Sequence, residues 1–559
     1  MKTMKHATKS KKVVLGALAI TAVLCISALS ALGVSETSDQ TWKAHTVKAV
    51  HTPLTPQALG GQDNILISVD NPDGDDMHPK VAIKPGGAIV VVYEKQIGMF
   101  SRTIPMVYSA NGQSWTLGFE FDSADFDGSG LLSRPDISYN SQLDQFAYSV
   151  VDPIGDQYNL ELYWIPGDIA GAQEIQGVGT SGVGATDHYG VSVMNVAEYM
   201  VTPYICDEPD YDLYRCPGLG YWGYPDFAHP PDGMGGFYYD GGSVTPTTPA
   251  SNIECVNGGG QHMYMVMQTG EGDDAKIAFK ATVTDMDQLN TAGGGPGGMD
   301  KYADIEVWPW QGFLVDAAEM TNVQVADPDV GASGNNVAIV YADTDNSYGD
   351  WDIKCAYTST IPGEGSQYTW ETSVVADNHP ADETNPAVFV SGNNVFVAYV
   401  SDGNLYLVKS EDGGATWGEP EQINTEDGTV VAEERTVDIG AGGIVWTDNR
   451  NGAKDIYYAP LPTAVINVDT ISGGFGVSAT VTNTGTEDAS AIDWTISLSG
   501  PVFVGKEASG TIDSLPAGGE TTIGTGLVFG IGPTTITVTA GGATKTASGL
   551  VLGPLVLGL

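Results

Sequence analysis

Basic residues are scarce. Lysine and arginine together number 23 in 559 residues, against 69 Asp and Glu, which leaves a net charge of −46. Such a field repels phosphate, so nucleic acid and anionic lipid are excluded as partners. Charged residues of either sign make up only 16% of the chain. Between residues 63 and 460 no segment shows the apolar spacing of an amphipathic helix, which excludes a helical bundle or an α/β core there. Cysteines number five and have neither CxxC nor HxxxH spacing nearby, which excludes a zinc-ligand set.

Glycine, tyrosine and tryptophan fill the gap, at 72, 25 and 11 residues. Many short strands joined by Gly/Asn/Asp turns produce that mix. The length calls for one large all-β domain and something smaller.

The first residues read as a targeting segment. Lys2, Lys5, Lys9, Lys11 and Lys12 precede an apolar run from Val13 to Gly33, and Ala31-Leu32-Gly33 offers small residues before Val34. Two readings of residues 1–33 stay open: a cleaved signal peptide, or an uncut anchor, since about 20 apolar residues suffice to span a bilayer. A membrane would then be met only through this segment. Cys25 follows Leu24, which disfavours lipidation. Either reading places the protein outside the cell or on its surface. The acidic excess would serve a saline or cation-rich setting, or solubility alone. In an oxidising compartment Cys206 and Cys216 are the first candidates for a local disulfide; Cys255 with Cys355 is the second pair.

Residues 34–60 lack periodicity and read as a linker. Residues 61–461 repeat. Asp327-Pro328-Asp329-Val330 leads through Gly334-Asn335-Asn336 into Val337–Tyr341, and Asn385-Pro386-Ala387-Val388 leads through Gly392-Asn393-Asn394 into Val395–Val400. Related units begin at His78-Pro79, Arg134-Pro135 and Thr436-Val437. Units of about 40–60 residues with four strands each are the pattern of a β-propeller, in which a blade hides its faces only between two neighbours. Six or seven blades fit, with seven favoured. The segment Asn64–Val69 has the character of a fourth strand and would complete the last blade, which shows only three of its own. From 462 to 559 cleanly alternating strands such as Ile492–Leu498 and Thr535–Thr539 fit an immunoglobulin-like β-sandwich. The apolar tail Gly549–Leu557 is too short to span a membrane and reads as a last strand.

Ser410-Glu411-Asp412-Gly413-Gly414-Ala415-Thr416-Trp417 carries Ser, Asp, Gly, Thr and Trp at the spacing of an Asp-box turn. Ser109-Ala110-Asn111-Gly112-Gln113-Ser114-Trp115 is a shortened copy. On these motifs and the repeat, residues 61–461 resemble the sialidase-like (Asp-box, or BNR repeat) propeller family. The Thr482-Asn483-Thr484-Gly485 turn resembles that of adhesion-type Ig-like domains of prokaryotic surface proteins. The resemblance implies a structural role for Ser410, Asp412, Gly414, Thr416, Trp417, Ser109, Asn111, Gly112 and Trp115.

In that family three arginines clamp a substrate carboxylate, a Tyr–Glu pair supplies the nucleophile and an Asp the acid/base. The candidates here are Arg134 and Arg435, each before the first strand of a blade. The matching place in the first blade holds His78, so a full clamp is in doubt. The reading is therefore a secreted or cell-surface binding or adhesion module, for a glycan or a surface protein; the alternative is an exo-sialidase-type glycoside hydrolase. No cofactor is required. Asp122, Asp125 and Asp127 form an oxygen-rich loop that would suit Ca²⁺, as would Asp343, Asp345, Asp350 and Asp352; solvated turn aspartates are the plainer reading of both.

Overall fold

The computed structural model describes the chain from Thr41 to Gly558, apart from residues 55–63, 69–73, 85, 99–100, 123–131, 141–142, 155–156, 182–187, 192, 197–198, 209–212, 224–234, 240–249, 260–261, 271–274, 284–309, 317–322, 361–367, 462–463, 465, 484–488, 517 and 542. All regular elements among the described residues are strands, and the fold is a β-propeller followed by a β-sandwich.

Seven antiparallel sheets precede residue 460 among the described residues. The first runs Asp76–Ile83, Ile89–Gly98, Ser101–Ser109 and Thr116–Asp122 from the axis outward. The inner strands of the later sheets are Ser133–Asn140, His188–Val191, Ala250–Gly259, Val325–Ser333, Glu383–Ser391 and Val437–Gly440. Each sheet's inner edge packs on the next, and Val437–Gly440 packs back on Asp76–Ile83, which closes a ring. Second strands such as Asn336–Asp343 and Asn394–Ser401 are buried along nearly their whole length, because a neighbouring sheet covers each face.

The ring closes as the repeat implies. Ile65 pairs with Tyr458 and Leu66 with Tyr457, so the chain's early segment is the fourth strand of the last sheet. The Ile67 amide donates to Ile456 O at 2.9 Å, and Asn64 bonds both the Ile423 carbonyl and the Thr425 amide. Ile67, Val81, Val91, Trp115, Val445 and Ile456 then share one core between the last and first sheets.

The linker expected over residues 34–60 is corrected in part. Thr41–Lys48 pairs with Glu174–Ser181 as an added outer strand of the second sheet, and Thr52–Pro53 adds to Thr116–Leu117 of the first. His51 between them donates to or accepts from Tyr108 Oη at 3.3 Å and meets Ala172 O at 2.6 Å. The segment thus ties two neighbouring sheets across their outer rims.

The sandwich packs a three-stranded sheet (Ile466–Ser472, Ser478–Asn483, Glu520–Gly524) on a larger one. The larger is ordered Glu507–Leu515, Ala489–Ser499, Phe529–Ala540, Ala543–Gly553, Leu555–Leu557, with Val502–Val504 beside Phe529–Ala540. Val468, Val481 and Ile523 from one sheet meet Ile496, Ile536 and Val538 from the other in a single core. The apolar tail forms strands, as its length implied.

Candidate functional site

The inner strands share one local device. A register shift falls between Met77 and Lys80, Ser133 and Asp136, Ser251 and Glu254, Ala326 and Asp329, and Thr384 and Ala387. Inside each bulge one residue takes a left-handed backbone: His78, Arg134, Asn252, Asp327 and Asn385, with φ between 48° and 54°. Arg435, at φ 57°, holds the same place before the last sheet. Proline follows His78, Arg134, Asp327 and Asn385; it has no amide hydrogen to leave unpaired where the ladder is interrupted. Because the bulge recurs round the ring, it is architectural, and the side chains it carries decide what the mouth can do.

Those side chains hold one another. Arg134 grips Glu434 with both terminal nitrogens at 2.7 and 3.2 Å, across 300 residues of chain. Arg435 donates to Pro135 O at 2.9 Å, and its Nε lies 3.6 Å from Glu254. Glu94 receives the Arg134 amide at 2.8 Å, Arg102 at 2.8 Å and His78 Nδ1 at 3.0 Å. Burial alone would push Glu94 up, but His78 and Arg102 outweigh it and hold the carboxyl at about 2. Asn252 and Asn385 both donate to Asp327, at 2.9 and 3.3 Å. Burial, with the Glu434 charge nearby, pushes Asp327 up to about 6.

A second layer lies one step deeper. Lys80 reaches Glu254 at 2.8 Å and Asp438 at 3.5 Å. Burial opposes its charge, yet Glu254 and Asp438 raise its pKa. Asp136, Asp329 and Asp438 staple neighbouring sheets, accepting the amides of Val193, Val388 and Val81, each at 2.7 Å. Inner strands of adjacent blades do not ladder together, so an acidic side chain spans the gap that backbone cannot. Burial, with Glu254 adding to it, lifts Asp329 to about 7; burial lifts Asp438 to about 6 against the pull of Lys80.

This ionic layer divides the channel. On the mouth side a cavity of about 40 Å³ lies between Asn252, Asp327, Asn385, Glu434 and Arg435. On the far side a chamber of about 500 Å³ opens past Tyr139, Asn257 and Phe389. Asn252 Oδ1, Arg435 Nε and Thr436 Oγ1, on residues that line the small cavity, are buried with no hydrogen-bond partner among the described residues.

The arrangement brings Arg134 and Arg435 to the mouth, as expected, and there it neutralises them. The other described places on the ring hold His78, Asn252, Asp327 and Asn385, so no three-arginine clamp exists among the described residues. Arg450 is bound to Asp448 at 2.5 Å and stacks on Tyr457, away from the axis. Among the described residues no tyrosine lines the small cavity. The hydrogen-bonded Tyr–Glu pairs among the described residues are Tyr163 with Glu161, in the second sheet, and Tyr357 with Glu371, on outer strands of the fifth. Glu254, Glu434, Lys80 and the two asparagines are site residues that sequence reasoning missed. The x-Pro step shared by four inner strands was the signal that could have found Lys80 and Asn385; Asn252, Glu254 and Glu434 have no such mark.

The Asp-box turns are held as their chemistry demands. Asp412 accepts the Thr416 amide at 2.8 Å, its hydroxyl at 2.6 Å and the Ser410 hydroxyl at 2.8 Å, which hold the carboxyl at about 2. Gly414 sits at φ 105°, and a Cβ there would press on Tyr357 at 3.1 Å. Trp417 Nε1 reaches across to Ser373 of the preceding sheet at 2.9 Å. In the shorter copy Asn111 accepts the Gln113 and Ser114 amides, Ser109 bonds Asn111, and Trp115 donates to Gly112 O. Trp115 then packs edge-on to Tyr458, with centroids 4.9 Å apart, at the seam where the ring closes.

Of the calcium candidates, Asp122 ends an outer strand and is exposed; Asp125 and Asp127 lie outside the described residues. In the other loop Asp343 pairs with Lys354 at 2.9 Å and Asp350 with His379 at 2.6 Å. Among the described residues no three His, Cys, Asp or Glu side chains are grouped to hold a metal ion. Cys206 and Cys216 are directly opposite each other in the antiparallel pair Tyr199–Glu208 and Leu213–Gly223. The second expected bridge is corrected: Cys255 and Cys355 are not bonded to each other. Cys355 is buried between the fifth and sixth sheets, whereas Cys255 lines the far chamber.

No protein-family model matches the chain, and no curated protein matches it. Among solved structures it is similar to an α-L-arabinanase of Penicillium chrysogenum complexed with arabinobiose, at 12% identity and a TM-score of 0.38, over 73% of this chain and 99% of that one. It is similar to a GH93 α-L-arabinofuranosidase of Fusarium graminearum with arabinobiose, at 9% identity and 0.39, over 72% and 97%. It is also similar to the β-propeller domain of the Trilobed protease from Pyrococcus furiosus, at 8% identity and 0.37, over 69% and 95%. At these scores the likeness carries no argument about ligand or activity; the propeller assignment rests on the sheet order above.

Proposed function

We propose that this is an exported binding protein whose sialidase-like propeller takes a neutral, polyhydroxylated ligand, a glycan, at the channel mouth. The observation that carries the reading is the state of the two arginines. Arg134 is already filled by a bidentate carboxylate, and Arg435 donates to the Pro135 carbonyl with the Glu254 charge 3.6 Å from its Nε. An anionic sugar would have to displace Glu434, while hydroxyl groups find Asn252, Asp327 and Asn385. The sandwich, read as an immunoglobulin-like domain, would act as spacer or attachment module. The −46 charge suits an extracellular or surface setting, and the Cys206–Cys216 register suits a disulfide formed there.

A glycan array with the wild-type chain and with Asn252→Ala and Asn385→Ala tests this. Neutral glycans should be retained by the wild type and lost at least about tenfold by either variant, the cost of one lost polar contact in a desolvated site. Retention of sialosides with turnover of a fluorogenic sialoside, abolished by Arg134→Ala and Arg435→Ala, would establish the hydrolase alternative instead. Calcium at Asp122, Asp125 and Asp127 is tested separately: the reading requires chelator to lower the melting temperature.

A further inference from the structure

Among the described residues the sandwich exposes large apolar side chains at one end only. On the outer face of its larger sheet, Thr535 pairs with Ser548 and Thr537 with Thr546. One step further along the same two strands the face changes: Ile531 pairs with Leu552, and Leu550 with Leu557. Ile531 is 64% exposed and Phe529, beside it, 48%. These side chains point away from the core, which Gly530, Val551 and Val556 face instead.

The other sheet contributes to the same end. Phe475, 73% exposed, sits in the turn between Ile466–Ser472 and Ser478–Asn483. Paired backbone bonds between Gly474 and Val556, at 3.0 and 2.8 Å, hold that turn against the last strand. Leu527 leads from Glu520–Gly524 into Phe529–Ala540, and Phe503 lies on the short strand paired beside Phe529; they are 59% and 67% exposed. Charge is sparse at this end: residues 470–486, 494–505, 521–544 and 546–559 contain no Asp, Glu, Lys or Arg, and the exposed Lys506 and Glu507 follow Phe503 and Val504 where the short strand leaves the tip. Lys545, the basic residue nearest the final strands, bonds Asp469 O at the other end of the sandwich.

A single protein partner covers one face and leaves a polar, charged rim around it. Here apolar side chains come from both sheets and from the turns between them, and Lys506 and Glu507 border the end on one side rather than ringing it. A bilayer covers such a shape on all sides at once. The geometry points to this end of the sandwich as a membrane-insertion tip that enters the interfacial region of a neutral bilayer. From Phe529 to the hydroxyl band at Thr535 is six residues, about 20 Å of strand, so the apolar side chains reach the headgroup and upper acyl layer and stop short of spanning it. Lys506 at the border of the tip is offset by the adjacent Glu507, so apolar burial drives the binding and anionic headgroups add little. Membrane contact would then not be confined to residues 13–33.

The test is hydrogen–deuterium exchange of the full chain with and without phosphatidylcholine vesicles, alongside co-sedimentation. Peptides covering 472–477, 525–531 and 550–557 should slow in exchange when vesicles are added. A Phe475→Ser/Phe503→Ser/Leu527→Ser/Phe529→Ser variant should lose that protection and partition at least about tenfold less, given the apolar area removed. A single Leu527→Ser variant with unchanged melting temperature should show a smaller loss in the same direction. Co-sedimentation with no change at the tip would assign the contact to the N-terminal segment and overturn the proposal. Tip protection that appears without vesicles and grows with protein concentration would overturn it in favour of a second copy. Failure to co-sediment would also overturn it.

Discussion

In the propeller channel Lys80 and Arg435 are buried among Asp136, Glu254, Asp329 and Asp438; at the exposed end of the sandwich no charged side chain occurs from residue 521 to 544. The same chain thus buries charge in the channel and keeps this exposed stretch of the sandwich neutral. The channel needs charge because seven inner strands converge without laddering together, and their edge amides must be answered by side chains. Asp supplies the acceptor, and Lys80 and Arg435 offset the carboxylates so gathered. The sandwich answers its amides within its own ladders and is left free to be neutral. Residues 464–559 hold two lysines against seven acids, so nearly all of the net charge belongs to the rest of the chain.

The contrast breaks most readily at Lys80. Lys80→Met leaves Glu254 and Asp438 buried without their cation, and should cost about 3–5 kcal/mol, the usual penalty for orphaning a buried charge. Urea unfolding of the propeller transition measures it. Adding Glu254→Gln to that variant should recover part of the loss, since the uncompensated charge is then removed. A single-variant loss below about 0.5 kcal/mol would mean that the layer is hydrated and that the channel is no different from the protein surface.

The ring seam comes next. Trp115→Ala removes a ring that is 2% exposed and packed on Tyr458. The expected cost is about 3 kcal/mol, the low end of the range for a buried aromatic, because the turn at the rim can settle into part of the cavity. The loss should fall on the propeller transition and leave the sandwich transition in place, which calorimetry resolves.

The channel carboxyls also set a pH dependence. Asp329 at about 7, and Asp327 and Asp438 at about 6, are all above the ordinary value of 3.8, chiefly through burial. A carboxyl whose folded pKa is raised holds its proton more tightly in the folded state. Stability therefore falls as pH rises from about 4 through about 7 and is level beyond. Glu94, held at about 2, acts oppositely, but only below its ordinary 4.5. The propeller should be more stable at pH 5 than at pH 8. Asp329→Asn should flatten that slope. A melting temperature that rises from pH 5 to pH 8 would contradict the burial argument.

Features made by neighbours in the chain were legible in the sequence; features made by neighbours in the ring were not. The Asp-box turns could be read because Ser410, Asp412 and Thr416 bond within seven residues. The closing strand at Ile65 could be read because the last repeat visibly lacked one. Glu434 could not be assigned to Arg134, nor Lys80 to Glu254, because those contacts depend on which blades adjoin and how far each bulge turns its side chain inward. The outer strand Thr41–Lys48 was read as linker since one added strand at the rim has no repeat to belong to. Cys255 and Cys355 face different compartments, a fact that composition cannot express.

The smallest effect falls at the sandwich tip. Phe503 is 67% exposed and outside the core that Val502 enters. Replacing an exposed residue away from caps and buried contacts changes stability by less than about 0.5 kcal/mol. Phe503→Ser should therefore leave the sandwich's unfolding midpoint unchanged, whereas Val538→Ala, at a fully buried position on the neighbouring strand of the same sheet, should cost about 2 kcal/mol. The pair separates two uses of apolar residues on one sheet. Val538 holds the domain together from inside. If Phe503→Ser proved as costly as Val538→Ala, the tip would be part of the core, and its sparse charge would follow from folding rather than from what it meets outside.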